Sequence, residues 1–399
     1  MEGAFEVSER KGNPTVFRYT NIVAVQKDGR QNGHRDGSAC PLNVVVIGAS
    51  VGAGHNSAAW ELQRRLQRNG FSATYFDILD ALPSILRVML RDLYRPLVNY
   101  APFTFNRCMA SWESDSSWMV RILLWSVSSQ EVLGQIRGAS VVVTTHAIAT
   151  QTVGRLKLEG KHDAALASYL CDAGMHPLLF HEAVDLNLVP LSGAIQECEK
   201  YGHTAVAINP LVQSIFRSPI PQNVLCGLRQ HLGLAANSAV ILITAGSLGI
   251  GRVSSTVRDI LDQLEAVSLV VLCGRNTTLQ RGLPTSPRVK ALGWREDVAK
   301  LLAVSQVMVH NAGGMAIWEA MVTGLPMVTY NPLPGHGMAN ARVLEQSDIS
   351  PWPRDREGLR SALQHALQVG RRRAPFCAME DEQVVVNHIA RMSYLGNGP

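Results

Sequence analysis

Two glycine-rich segments carry the residue types best suited to chemistry in this chain. The first runs from Gly48 to His55 and the second from His310 to Ala320. Each follows an apolar run typical of a buried strand and precedes a helical pattern, so each places unpaired backbone N–H groups at the start of a helix. Such groups bind anions. The pair therefore predicts two α/β halves that share one ligand-binding cleft.

Two side chains near these segments are candidate general bases. His55 follows the first glycine loop directly. The positive end of a helix dipole favours the neutral ring, which can accept a proton. Asp172 closes another predicted strand, where a carboxylate could take a hydroxyl proton or orient the histidine. The alternatives are that His55 bonds only to the loop backbone and that Asp172 caps the following turn.

The first loop, taken alone, also resembles the cofactor site of a short-chain dehydrogenase. Gly48, Gly52 and Gly54 allow close approach of a phosphate, and Asp77 at the end of the next strand could bind a ribose. Such NAD-dependent enzymes carry a tyrosine with a lysine four residues later, and no tyrosine of this chain has that partner. A dehydrogenase is therefore disfavoured. A purely structural role for the glycines, in tight helix–strand packing, remains an alternative.

The elements that must position these residues alternate between strand and helix. Alternation of this kind predicts doubly wound sheets, whose carboxyl edges bind ligands and would here carry His146 and Asp172. Predicted helices cover residues 58–68, the stretch from the glycine turn at 245–251 to about 267, and residues 380–394. Predicted strands cover residues 43–48, 73–78, 139–144, 165–171, 240–244, 269–273, 289–292, 307–310 and 326–330.

Length and composition set the domain organisation and the class of partner. The 399 residues, 46% hydrophobic and 17% charged, predict two globular domains. A Ser-Pro-Ile-Pro segment at 218–221 interrupts the periodicity, so we predict an extension at 1–40, domains at 41–218 and 219–370, and a helical segment at 371–399 that could pack back on the first domain. The net charge of +5 comes without a Lys/Arg-rich block, which favours an anionic ligand or membrane surface over nucleic acid.

Cysteine usage and hydropathy predict the compartment. The seven cysteines are scattered and show no C-x-x-C spacing, which argues against a disulfide framework or a structural zinc site and indicates a reducing cytosol. The first 40 residues show no apolar signal-peptide core, and no run approaches the ~18 apolar residues of a membrane-spanning helix. We therefore expect a cytoplasmic protein, with a peripheral position at the inner face of the membrane as one option.

Several motifs together resemble one enzyme family, the monogalactosyldiacylglycerol synthases and processive diacylglycerol glucosyltransferases, with the MurG-type glycosyltransferases as more distant relatives. The similarity covers about residues 43–366. The segments that carry it are Gly52-Ala-Gly-His55, Asp172 with His176-Pro177, Phe180-His181, Cys273-Gly-Arg-Asn276, Gly293-Trp294 and Pro334-Gly335 with Asn340.

This resemblance implies a GT-B fold, in which two Rossmann-like domains face a central cleft. It places the acceptor in the domain at 41–218 and the nucleotide sugar in the domain at 219–370, and it implies that no metal or cofactor is needed besides the UDP-sugar donor. The implied reaction is the inverting transfer of a hexose to a hydroxyl of a diacylglycerol-like lipid. Either His55 or Asp172 would then remove the hydroxyl proton as the oxygen attacks the anomeric carbon.

The resemblance also implies binding roles. The acceptor would contact Gly52, Gly54, His146, His176 and His181. The backbone at Ala312, Gly313 and Gly314 would hold the donor diphosphate in place of a metal, and Glu319 would bind the ribose unless it is merely a solvated or capping carboxylate. Arg275, near the nucleotide, could pair with phosphate, stack, or be an ordinary surface arginine. Further donor contacts would come from Gly246, Ser247, Gly249, Pro334, Gly335, His336 and Asn340.

Two departures from the family pattern leave the substrates open. The donor loop has His336-Gly337 where the family commonly has Gln-Glu, so the groups that select the sugar differ. The second-half turn reads Ala245-Gly246-Ser247 where the family has three glycines. A soluble natural-product acceptor, or a non-catalytic role as a nucleotide-sugar sensor, stays open beside the lipid transferase.

A basic, aromatic insertion between Leu82 and Trp125 corresponds to the family's acceptor and membrane-docking region. Arg87, Arg91 and Arg95 recur every four residues and so share one helix face, next to a stripe of leucines. Trp112 adds a side chain that favours a membrane interface. The sequence therefore predicts docking on anionic lipid. An ordinary helix with a buried leucine stripe and a solvated arginine face would show the same spacing.

Overall fold

The computed structural model describes residues 42–90, 118–235, 237–372 and 380–395. The predicted N-terminal extension lies outside these ranges. So do Arg91, Arg95 and Trp112 of the predicted membrane-docking region, and all of these stay predictions.

Parallel strands form two sheets, as the alternating pattern predicts. The first sheet has six strands in the order β2-β1-β3-β4-β5-β6, and the second has five in the order β11-β10-β7-β8-β9. The middle strands are buried apolar runs because helices cover both faces of a parallel sheet. The strands are β1 (Asn43–Gly48), β2 (Ser72–Asp77), β3 (Val141–Thr144), β4 (Ala165–Tyr169), β5 (Leu186–Val189), β6 (Val206–Ala207), β7 (Ala239–Thr244), β8 (Val267–Leu272), β9 (Val289–Leu292), β10 (Val307–His310) and β11 (Met327–Thr329).

Helices connect and cover these strands. In chain order they are α1 (Ala53–Arg68), α2 (Ser84–Val88), α3 (Trp118–Ser126), α4 (Ser129–Ile136), α5 (Ala147–Leu158), α6 (Gly193–Lys200), α7 (Gln222–His231), α8 (Val253–Gln263), α9 (Thr277–Gly282), α10 (Val298–Val304), α11 (Ala316–Val322), α12 (His336–Gln346), α13 (Arg356–Val369) and α14 (Glu380–Leu395). In the described part of the chain, none is both long and apolar enough to cross a bilayer.

Two helix boundaries differ from the sequence expectation. Helix α1 begins at Ala53 rather than at residue 58, because Gly52 is extended and the glycine loop passes directly into the first turn. Helix α8 ends at Gln263 rather than near 267, because Leu264 is extended and the β-branched Val267 already starts β8. The first shift matters for the site, since it places His55 inside the first turn of α1.

The strand orders fix where a ligand can bind. The chain winds from β1 to β2 on one side and later places β3 on the other side of β1. In the second sheet, β8 and β10 flank β7 in the same way. Ligands of open α/β sheets bind at such switch points, beyond the carboxyl ends of the strands. The loops that leave β1, β3, β7 and β10 therefore define the candidate site.

The two sheets share one continuous core. Buried side chains of β1, α1 and α14 belong to the same apolar cluster as those of β7, α11 and α12. Trp318 of α11, only 1% exposed, donates its Nε1 hydrogen to the Cys171 carbonyl oxygen at 2.7 Å, and Cys171 follows β4. Helix α14 packs against α1, β3 and β4 of the first sheet. Separate domains at 41–218 and 219–370 stay a prediction.

Candidate active site

A cavity of about 710 Å³ lies where the carboxyl ends of the two sheets meet. It brings together most of the residues singled out in the sequence, from both glycine-rich segments. On the first-sheet side these are Gly52, Gly54, His55, His146, Asp172 and His176. On the second-sheet side they are Gly246, Ser247, Gly313, Gly314, Glu319 and His336.

His55 is held by the loop that leaves β3. Its Nδ1 lies 2.8 Å from the Thr145 carbonyl oxygen. A carbonyl oxygen can only accept, so Nδ1 carries the hydrogen and Nε2 of the neutral ring keeps its lone pair. Thr145 in turn donates its hydroxyl to the His55 carbonyl oxygen at 3.1 Å. The arrangement therefore leaves Nε2 as a proton acceptor on the cavity wall.

Two further histidines, His146 and His176, lie near His55 and have lowered pKa values. The His146 ring meets the His55 ring edge-on at a centroid distance of 4.8 Å, and its Nδ1 accepts the Ile148 N–H. Burial lowers the pKa of His146 well below its usual value, and the neighbouring His55 and His176 add to the effect. Burial likewise lowers the pKa of His176 to about 4. Near neutral pH both rings are therefore uncharged.

Asp172 faces the same cavity from the segment after β4. Its neighbour Cys171 shares the Thr145 carbonyl oxygen with His55, with the sulfur 3.5 Å from that oxygen. From the described residues, the carboxylate accepts one hydrogen bond, donated by the Asn340 side-chain amide to Oδ1 at 3.1 Å. Asp77, the candidate ribose ligand of the dehydrogenase alternative, has a structural role instead. Its Oδ1 accepts hydrogen bonds from the backbone N–H groups of Ser50 and Leu79 and so caps the loop.

The turn after β10, Ala312–Gly314, has the backbone geometry of an anion-binding site, and we call it the anion turn. Ala312 and Gly314 have positive φ angles of 60° and 70°, a pattern that points successive N–H groups to one side. A non-glycine residue such as Ala312 is strained there by roughly 1–3 kcal/mol. Its N–H bonds to His310 Nδ1 at 3.1 Å. Within the described ranges, the N–H groups of Gly313 and Gly314 have no protein acceptor.

Glu319 lies on the wall beyond this turn. The side chain is half-buried, and no other described residue donates a hydrogen bond to its carboxylate. Desolvation raises the pKa of Glu319 to about 7. A carboxylate without donors in an apolar wall is poised to accept hydroxyl groups of a ligand.

Several predicted contact residues do not line the cavity. His181 lies behind the wall: its ring packs on α5, where a Cβ added to Gly154 would stand 2.3 Å from His181 Nδ1. Arg275 stacks over the Trp294 ring, 4.8 Å from its centroid, and Trp294 rather than Arg275 reaches the cavity. Neither side chain lies on the cavity wall, and an acceptor contact from His181 and a phosphate contact from Arg275 stay predictions.

The other predicted contact residues that do not line the cavity belong to the surrounding loops and helices. Gly249 has a φ of 60°, and an added Cβ would stand 2.1 Å from the Cys273 carbonyl oxygen, so it allows two turns to pack. Ala312, the first residue of the anion turn, is fully buried. Gly335 directly precedes α12 and has a φ of 69°. Pro334, next to Gly335 in the chain, does not line the cavity. Asn340 is buried between the two sheets.

The sequence reasoning missed an apolar wall on the first-sheet side. It leads from the His55 region to α2 and α3 and consists of Met89, Leu90, Val120, Leu123, Leu124 and Ile148. Of the leucine-rich stripe, whose spacing predicts a membrane surface or a helix core, Leu90 lies on this wall. Arg87 of the same segment pairs with Asp80 at 3.1 Å and donates to backbone carbonyls, so its charge is engaged locally.

Comparison with known proteins finds similarity to glycosyltransferases. Residues 240–387 match the glycosyltransferase family 28 C-terminal domain. A processive diacylglycerol beta-glucosyltransferase of Bacillus pumilus is 29% identical over 44% of this chain and 47% of its own length, so that match spans about half of the relative. The Bacillus cereus enzyme of the same name is 22% identical over 78% of this chain and 82% of its own.

Solved structures share the architecture. The Anabaena protein HepE in complex with UDP-glucose superposes with a TM-score of 0.52 at 14% identity, covering 89% of this chain and all of that protein. At this identity the likeness concerns the fold alone. The fold is GT-B, as the sequence resemblance implied.

Proposed function

We propose that this chain, a glycosyltransferase that carries the family 28 C-terminal domain on a GT-B fold, moves a hexose from a UDP-sugar to a hydroxyl of a diacylglycerol-like lipid with inversion at the anomeric carbon. The predicted enzyme class is confirmed by the family match. Donor, acceptor and stereochemistry are our proposals.

One observation carries the proposal. One cavity has an anion turn and the Glu319 carboxylate on the second-sheet side, and on the first-sheet side a histidine whose Nδ1 is held by a backbone carbonyl oxygen. A diphosphate at Gly313 and Gly314, with its ribose at Glu319, would present the sugar toward His55. Backbone N–H groups would then stabilise the charge that develops on the leaving diphosphate, as a metal does elsewhere.

The reaction follows from this placement as a single displacement. His55 Nε2 takes the acceptor hydroxyl proton while the oxygen forms a bond to the anomeric carbon. The bond from that carbon to the diphosphate oxygen breaks, and its electron pair leaves with UDP. The Asp172 carboxylate, on the same side of the cavity, stabilises the imidazolium that forms. Attack opposite the leaving group inverts the configuration.

A lipid acceptor is supported by the apolar wall, which continues to the protein surface. The outer faces of α2 and α3 expose Ile85 and Trp125, at 71% and 76%, together with Val88 and Ile122. We call these four residues the outer apolar surface. Exposed aliphatic and tryptophan side chains beside an apolar channel fit a membrane from which an acyl chain enters the cavity.

Replacing Ile122 and Trp125 together with serine is expected to reduce binding to anionic vesicles by at least about tenfold, because full burial of even one large apolar side chain contributes ~1.5–3 kcal/mol. Cosedimentation with phosphatidylglycerol vesicles containing diacylglycerol measures this. Trp60→Ser, which changes an exposed tryptophan of α1 beside Tyr75, is the matched control and should bind normally. Unchanged vesicle binding by the double variant, with transfer indifferent to vesicles, would indicate a soluble acceptor.

A further inference from the structure

The side chain of Asn340 joins three parts of the site that are distant in the chain. Its Nδ2 donates to Asp172 Oδ1 at 3.1 Å and to the Ala312 carbonyl oxygen at 3.0 Å. Its Oδ1 accepts the Gly174 N–H at 2.7 Å. The residue is 1% exposed and does not line the cavity. It therefore acts through its neighbours and not on a ligand.

The orientation of this amide follows from its partners. The Gly174 N–H can only donate, so the amide oxygen must face it. The Ala312 carbonyl oxygen can only accept, so the NH₂ group must face Ala312 and, beside it, Asp172. The three bonds agree with one another, and a flipped amide would lose all of them. One carboxylate oxygen of Asp172 is thus held from the second-sheet side of the molecule.

The backbone around Asp172 is clamped from the same side. A Cβ added to Gly174 would stand 2.6 Å from the Ala339 carbonyl carbon and 2.7 Å from the Asn340 nitrogen, so α12 rests directly on the segment after β4. Trp318 bonds to the Cys171 carbonyl oxygen on the preceding residue. Both contacts come from helices that follow β10 and β11, across the junction of the sheets.

We propose that Asn340 is a positioning residue for Asp172: it holds the carboxylate beside the reacting groups only while α12 is seated on the Cys171–Gly174 segment. The inference rests on the proposed function, since it assigns to Asp172 the stabilisation of the imidazolium. It reassigns Asn340, which the sequence resemblance placed among the donor contacts.

Donor binding should be largely independent of this residue. The anion turn keeps two other supports when the Asn340 bond to Ala312 is lost: His310 Nδ1 accepts the Ala312 N–H, and Asn311 donates to the Ile250 carbonyl oxygen at 2.9 Å. A loss of Asn340 is therefore expected to appear in kcat and not in the affinity for the nucleotide.

The test is a double-mutant cycle on the full chain with UDP-glucose and diacylglycerol vesicles. Asn340→Ala should lower kcat by about tenfold or more, as a small misplacement of a reacting group does, and change the Kd for UDP by less than about threefold. In an Asp172→Ala background, where His55 still supports slow transfer, Asn340→Ala should have almost no further effect, because contacting residues are not additive. The same loss in both backgrounds, or a loss of UDP affinity alone, would overturn the proposal.

A second variant tests the clamp without touching the amide. Gly174→Ala must displace α12 from the Cys171–Gly174 segment, so it should lower kcat to a similar extent and add little to Asn340→Ala. Gly134→Ala in α4, where an added Cβ meets nothing within 4 Å, is the matched control and should keep full activity. Full activity of Gly174→Ala would contradict the proposal. If the wild-type chain transfers no sugar, the proposed function fails first, and if it transfers but the cycle is additive, only the role of Asn340 fails.

Discussion

The His55→Gln variant is expected to lose about 10²- to 10⁴-fold in kcat, the range associated with removal of a general base. Glutamine can keep a hydrogen bond to the Thr145 carbonyl oxygen but offers no nitrogen that accepts a proton. The Kd for UDP should stay within about threefold, because the anion turn and Glu319 lie on the other side of the cavity. Single-turnover transfer and isothermal titration with UDP separate the two effects.

A matched histidine change controls for charge and folding. His365→Gln alters an exposed side chain of α13 away from the cavity and should leave both constants unchanged. Asp172→Asn should cost less than His55→Gln, because we assign Asp172 to orientation and charge stabilisation. Nearly full activity in His55→Gln together with an inactive Asp172→Asn would move the base from the histidine to the carboxylate.

The second large effect is expected for Glu319→Gln, which should weaken UDP-glucose binding by at least about tenfold at pH 8. A hydrogen bond to a charged group contributes ~1.5–3 kcal/mol, and an ionised carboxylate can accept both ribose hydroxyls. Because burial raises the pKa of Glu319 to about 7, the free protein holds this carboxyl largely protonated at pH 6 and largely ionised at pH 8. Affinity should therefore rise with pH across that range in the wild-type chain and stay flat in the glutamine variant.

The ligand and control are chosen to isolate this carboxyl. UDP-glucose has no phosphate group that titrates between pH 6 and 8, whereas UDP does. Glu265→Gln removes the same charge from an exposed position outside the cavity and should keep the wild-type pH profile. An unchanged affinity in Glu319→Gln would reject the ribose contact, and a flat wild-type profile would show that ionisation of Glu319 does not control binding.

Local pattern predicted the parts of the site that depend on parallel strands. Buried apolar runs end where ligand loops begin, so the positions of His55, Asp172 and the turn at Gly313 followed from the sequence. Strands β5 and β6 were not predicted, because runs of four and two residues give little periodic signal. The sequence pattern at Leu82–Trp125 was ambiguous, because an apolar stripe can face a core, a membrane or, as at Leu90 and Leu124, a cavity.

Contacts across the sheets could not be predicted in this way. Asn340 and Asp172 are 168 residues apart, and Trp318 and Cys171 are 147 residues apart. Their pairing depends on how two separately patterned sheets pack, which no local spacing encodes. The same limit applies to Arg275, since its motif left phosphate pairing, stacking and surface exposure open, and only the packed structure shows its guanidinium over Trp294.

The most direct measurement is transfer itself, with labelled UDP-glucose and UDP-galactose, diacylglycerol in anionic vesicles and a chelator present. Our account predicts a hexosylated lipid whose new linkage is β, since the donor linkage is α and one displacement inverts it. Mass spectrometry identifies the product and the proton coupling at the anomeric carbon gives its configuration. An α-linked product would contradict the mechanism. Tight UDP-sugar binding without transfer to any lipid or soluble hydroxyl would contradict the function and indicate a sensor.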